Sequence, residues 1–347
     1  MDKDPFDITM MIMGSGTFLI GCLPTYQEIG IAAPILLTVF RLLQGIGIGG
    51  EWGGAVLMVI ENSHQDRRGL FGSLVQIGSP AGLVLATVAF SGVSKLPEAQ
   101  FLSWGWRIPF LISFVLVFLG LFIRMRLIET PAFRDLLKRK ATIDMPVVHA
   151  LVRERKPSLI SVGMKISEVA WFYILTVFVV YYSTTKLNLS RALILDAVLY
   201  AALVELGTVP LCGWLSDRWG RRTLYIGGAV LSAALAFPLF SLIETKDALT
   251  ITVTMIVALS AAHATMYGPQ AAFMPELFGT GSRYSGASLG CQVSAAISGG
   301  FAPVIATSLL AWQGNTHGVS LFLIALSLIT LVSVVVAQET ARRPMPN

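Results

Sequence analysis

The sequence predicts an all-α polytopic membrane protein, a helical bundle with ten transmembrane helices. Three observations predict it. Apolar residues fill 54% of the 347 positions and charged residues only 13%, where a soluble domain carries about 25% charged residues. The apolar residues fall in long runs, near the roughly 20 residues that a helix needs to cross a hydrocarbon core of about 30 Å. The basic residues are sorted onto alternate connections. These runs do not alternate polar with apolar, so the closed β-barrel, the other way to satisfy a backbone in lipid, does not fit.

The ten stretches are 8–23, 32–60, 70–92, 104–123, 158–182, 193–215, 223–243, 249–274, 284–310 and 319–337. The first is short; the second and ninth are long, which predicts tilt or broken ends. The second carries Arg41 and a glycine run, Gly45, Gly49 and Gly53. The third repeats that spacing at Gly78 and Gly82, and the ninth at Gly286, Gly290, Ser294 and Ser298. Small residues four apart let helix backbones approach closely. The fourth opens on Trp104-Gly-Trp106-Arg-Ile-Pro109, aromatic residues of the kind that sit at headgroup level.

Assigned to the connections, 18 of the 25 Lys and Arg fall on one side and five on the other. The excess marks the cytoplasmic side, so a multi-pass inner-membrane protein with both termini cytoplasmic is expected. The net charge of +5 is thereby a topology signal, and nucleic acid is not an expected partner. Cys22, Cys212 and Cys291 lie in spans with no metal-ligand spacing. The string GIGIGG fits a dinucleotide fingerprint formally, but without the strand-turn-helix setting that motif needs. No metal, cofactor or catalytic constellation is expected, and the chain does not read as an enzyme.

The longest polar segment divides the chain. Residues 1–127 hold four spans, 128–157 form a basic cytoplasmic connection, and 158–347 hold six. Transporters are often built from repeated helical halves, and a six-span second half predicts a six-span first half. The amino-terminal half is therefore expected to be incomplete, lacking two spans.

Polar residues inside apolar runs are the candidate site. Arg41 sits deep in its stretch, where a charge costs several kcal/mol unless paired or hydrated. Gln44 and Glu51 return to nearly its face. Two readings stand for Arg41: lining a polar cavity, or reaching to the interface. Lys165 and Glu168 are i,i+3 neighbours, with Tyr173 further along; a site or proton relay and a structural ion pair are both open. Glu205 is central in its span. His263, Tyr267 and Gln270 form a stripe at i, i+4 and i+7, and Gln292 lies in the following span. The turn Ser216-Asp217-Arg218-Trp219-Gly220-Arg221-Arg222 can bond neighbouring helix ends and latch one conformation, or serve only as a topology anchor.

Several segments carry a family resemblance: Arg41-Leu-Leu-Gln44-Gly45 with GIGIGGEWGGA after it, WGWRIPF at 104–110, Glu129-Thr130-Pro131, SDRWGRR at 216–222 and PELFGTGSRYSG at 275–286. Through them the chain resembles the major facilitator superfamily, and within it the metabolite:proton symporters. AAHATMYGPQ at 261–270 is most similar to the shikimate-carrying branch. The resemblance implies a twelve-helix fold in two halves around a central cavity, with alternating access. It makes Arg41 and Glu51 first-half cavity or coupling residues. It makes Asp217, Arg218 and Arg221, with Gly220 and Arg222, the second-half cytoplasmic gate. The expected function is secondary active transport of a small organic acid or related metabolite by proton symport. Expected partners are that metabolite, protons and the lipid bilayer, with the chain acting as a monomer. The alternative is a non-transporting truncated remnant of such a symporter.

Overall fold

The computed structural model describes residues 5–124 and 154–345. The ordered elements are helices: α1 (Pro5–Cys22), α2 (Ala32–Glu61), α3 (Gln65–Val93), α4 (Ile108–Arg124), α5 (Arg155–Thr185), α6 (Arg191–Trp219), α7 (Arg221–Glu244), α8 (Ala248–Phe273), α9 (Arg283–Gln313) and α10 (His317–Val336). Most of the connection expected at 128–157 lies outside the described residues.

The expectation of ten spans is corrected here. Among the described residues, seven helices are long and apolar enough to cross a membrane: α3 and α5 to α10. The other three stretches supply apolar helix only over Thr9–Cys22, Ala32–Gly45 and Gly105–Gly120. At 1.5 Å per residue these reach about 21–24 Å, short of the roughly 30 Å core. α1 stops at Cys22, before Leu23-Pro24, and the 104–123 stretch begins in a 3₁₀ turn, Gly105–Arg107.

The chain divides into two compact units, Met1–Ala55 with Leu85–Asp135, and Val56–Val84 with Leu136–Asn347. In the first, α1 packs along α4. A Cβ added to Gly14 would come within 2.2 Å of the Val117 side chain, and the Phe18 and Phe114 rings meet at a 40° tilt with centroids 5.0 Å apart. The Arg107 guanidinium donates to the Leu23 carbonyl at 2.9 Å. The small-residue spacing at Gly45, Gly78 and Gly82 does not mark tight packing, because an added Cβ there would meet nothing.

The second unit holds a continuous apolar core. Trp171, Phe178, Phe240, Leu239, Ile251 and Leu323 are all buried there. α5 packs against α10 at Gly163, where a Cβ would strike the Ser333 side chain, and against α9 at Gly290, where it would strike Ser161. Helix starts are capped by side chains, as their orphan amides require. Ser190 Oγ accepts from the Leu193 amide at 3.2 Å, and Asp247 accepts from the Thr250 hydroxyl and amide. Those Thr250 bonds hold the Asp247 carboxyl below its ordinary range. Three π-helical turns interrupt α5, α8 and α9, at Ile174–Phe178, Ala258–His263 and Ala295–Gly300. Such turns re-aim side chains and occur frequently at functional sites.

Candidate functional site

Inside the second unit five helices bring polar side chains to one buried cluster. α5 supplies Lys165 and Glu168, α6 Glu205, and α8 His263 and Gln270. α3 adds Gln76 and α7 adds Tyr225. None is more than 6% exposed. Lys165 Nζ donates to Glu168 Oε2 at 3.0 Å and to Gln270 Oε1 at 2.9 Å. The Gln270 amide donates to Glu168 Oε2 at 3.0 Å and toward the Tyr225 hydroxyl at 3.2 Å, and Tyr225 donates to the Met164 carbonyl. Gln76 donates to Gln270 Oε1 at 3.3 Å.

His263 joins this group to Glu205. Its Nε2 lies 2.9 Å from Glu168 Oε1 and its Nδ1 lies 2.5 Å from Glu205 Oε1. The ring is held between Tyr267, stacked at 5.0 Å, and Phe172 at 5.5 Å. It sits at the end of the π turn in α8. Glu205 Oε2 is buried without a hydrogen-bond partner. An uncompensated charge at this depth would cost several kcal/mol, so the cluster holds together as a whole: a cation, two acids and an imidazole that neutralise one another. Such a site can take up or release a proton, or exchange one anion for another at Lys165.

Other residues singled out in the sequence lie apart from this cluster. Tyr173 is 40% exposed and packs its ring edgewise on Phe172; Gln292 is half-buried on α9. In the first unit Arg41 is exposed, Glu51 is half-buried, and Gln44 donates to the Thr17 hydroxyl at 2.6 Å. Gln76 and Tyr225 were not singled out in the sequence. Gln76 carried a weak signal, a lone amide in the apolar run LVQIG.

A second cluster forms at the turn between α6 and α7. The Asp217 carboxylate accepts the Gly69 and Leu70 amides at 2.8 and 2.9 Å, closing the start of α3. Arg221, fully buried, donates to Asp217 Oδ1 at 2.7 Å, to the Ser216 hydroxyl, and to Glu276 at 3.3 Å. Thr340 donates to the same Glu276 at 2.6 Å. Glu339 accepts the Arg221 and Arg222 amides at 2.9 and 3.0 Å, satisfying orphan donors at the start of α7. Gly220 makes room for it: its φ is +98°, and a Cβ there would lie 2.5 Å from Glu339 Oε2. Arg218 instead lies over the Trp214 ring at 3.9 Å. The sequence pointed to the 216–222 turn but not to Glu276, Glu339 or Thr340, which come from distant segments.

The model of the Major Facilitator Superfamily matches residues 6–298 and again 160–346. The chain is 38% identical over 339 residues to the shikimate transporter of Escherichia coli K12, covering 96% of this chain and 77% of that protein. It is 35% identical to an inner membrane metabolite transport protein of the same organism, over 97% of this chain and 78% of the relative. Its fold is similar to that of the proton:xylose symporter XylE, with a TM-score of 0.71 at 18% identity, over 98% of this chain and 80% of that one. With the buried polar cluster inside an apolar helical bundle, these likenesses place the chain: it belongs to the major facilitator superfamily, as a multi-pass secondary transporter of the bacterial inner membrane and not an enzyme.

Proposed function

We propose that the chain carries a small organic acid, a hydroxylated carboxylate of the shikimate kind, together with protons by alternating access. The observation that supports this is the buried cluster in which Lys165 is shared between Glu168 and Gln270. A substrate carboxylate can take the place of Glu168 at Lys165 at low electrostatic cost only if Glu168 gains a proton, because two anions on one buried cation leave a net charge. Anion binding and proton binding then favour each other, which is the requirement for symport. Gln76, Gln270 and Tyr225 supply neutral partners for hydroxyl groups, and the 38% identity to the shikimate transporter supports this substrate class. Arg41, Gln44 and Glu51 are proposed for the first-half side of the pathway, and Asp217 and Arg221 for the cytoplasmic gate. The test is uptake of radiolabelled shikimate, beside a panel of other carboxylates, in cells lacking their own carriers. Uptake abolished by a protonophore is expected. No uptake at normal membrane abundance, or uptake indifferent to the protonophore, overturns the reading.

Both termini are proposed to be cytoplasmic. The basic turn Arg218, Arg221 and Arg222 and the tail residues Arg342 and Arg343 lie on one side of α7 to α10, with Lys246 the lone basic residue in the connections opposite. Reporter fusions after Arg222 and after the last residue should report the cytoplasm, and fusions at Lys246 and Gly314 the periplasm. A reversed pair sinks the orientation.

A further inference from the structure

His263 is contacted from both sides. Each of its ring nitrogens lies at hydrogen-bond distance from a carboxylate oxygen, Glu168 Oε1 at 2.9 Å and Glu205 Oε1 at 2.5 Å. Each contact needs one proton between its two lone pairs. A neutral imidazole carries only one. The closed triad therefore holds one proton more than a neutral histidine beside two carboxylates, wherever that proton resides. The charge count agrees. With Lys165 positive and the extra proton present, the cluster is neutral. Without it, the cluster is left with one negative charge among side chains no more than 6% exposed, and one nitrogen faces an oxygen lone pair to lone pair.

We infer that Glu168, His263 and Glu205 form a one-proton lock: a single exchangeable proton holds the π turn of α8 against α5 and α6, and its loss releases them. This rests on the proposed proton symport and deepens it, because it sets the coupling at one proton for each opening. The titratable groups facing the triad are Lys165 of α5, Tyr225 of α7 and Tyr267 of α8, with Cys212 of α6 near Glu205 and Cys291 of α9 near Lys165. Phenols and thiols are ordinarily uncharged below about pH 8, so Lys165 alone adds charge to the count. Glu205 Oε2, buried and without a partner, is a lone-pair site left over in the closed form. It is where a proton arriving from an opened side can first attach before it is shared with the imidazole.

Glu205→Gln separates this lock from a merely structural contact. The carboxamide can accept from, or donate to, Nδ1, so one imidazole proton satisfies both contacts and the cluster stays neutral without an exchangeable proton. Hydrogen exchange of the 258–273 segment, corrected for intrinsic rates, would be followed from mildly acid to mildly alkaline pH in the purified full chain. The wild type is expected to lose protection in a transition with the slope of one proton. Glu205→Gln is expected to stay protected throughout. A wild-type transition that persists in Glu205→Gln, a two-proton slope, or no wild-type transition overturns the lock. Should that variant fail to reach the membrane, Glu168→Gln makes the same proton count from the other side and is read by the same criteria. This measurement uses no substrate. Failure of protonophore-sensitive shikimate uptake would overturn the symport reading without changing the exchange result, and the two are therefore distinguishable.

Discussion

Replacing Arg221 with methionine is expected to destabilise the protein by about 3–5 kcal/mol, the cost of removing one partner from a buried ion pair. The side chain is fully buried between Asp217 and Glu276. Methionine fills similar volume but leaves two carboxylates facing each other across an apolar space. Asp217 keeps the Gly69 and Leu70 amides, so the Glu276 side should suffer more. Adding Glu276→Gln to the variant should recover part of the loss. Arg218→Met is the control. Arg218 is exposed over Trp214, and exposed contacts of this kind contribute only about 0.5–1 kcal/mol. Denaturant unfolding in detergent micelles checks the ordering. Equal, small effects for Arg221 and Arg218 would show that the buried cluster carries no such energy.

Lys165→Ala should have the second large effect, on transport. It removes the only lysine from the buried cluster, leaves Glu168 and Glu205 around His263, and takes away the proposed anchor for a substrate carboxylate. An unpaired buried charge of about 3–5 kcal/mol corresponds to roughly a hundredfold or more at tenfold per 1.4 kcal/mol. Uptake per molecule in the membrane is expected to fall by at least that factor. The double variant Lys165→Ala with Glu168→Gln rebalances the charge, so its abundance should recover while its uptake does not. A single variant that transports shikimate near the wild-type rate would remove Lys165 from the pathway.

Much of this was readable from the chain, and the pattern of what was not has a physical basis. The runs that became α5 to α10 were legible because each is apolar over its full helical length. The runs at 8–23, 32–60 and 104–123 were apolar in composition, but the apolar helix described in them covers only Thr9–Cys22, Ala32–Gly45 and Gly105–Gly120. Composition averaged over a run does not give the length of apolar helix within it. The stripe of His263, Tyr267 and Gln270 was visible because helical period alone places residues on one face. Period says nothing about which helix that face meets. Gln76 and Gln270 lie 194 residues apart, and Arg221 and Glu339 lie 118 apart. No local rule connects them, so Gln76, Tyr225, Glu276 and Glu339 needed coordinates. Arg41 drew attention by its depth, yet it is exposed on its helix in the first unit. The buried ion pairs Lys165–Glu168 and Arg221–Asp217 belong to the second.

The way the second unit is drawn from the chain bears on its biogenesis. It combines residues 56–84 with residues from 136 onward, so α3 leaves the ribosome long before the helices it packs against. Gly69 and Leu70 must wait for Asp217, 148 and 147 residues later. Arg221 waits in turn for Glu276, and the amides at the start of α7 wait for Glu339. Until Glu276 is made the nascent protein therefore carries an arginine lacking one of its two acids, and until Glu339 is made the amides at the start of α7 stay open. Those are the features that membrane chaperones and quality-control proteases can recognise. A chain halted before Glu339 would keep the amides at the start of α7 open.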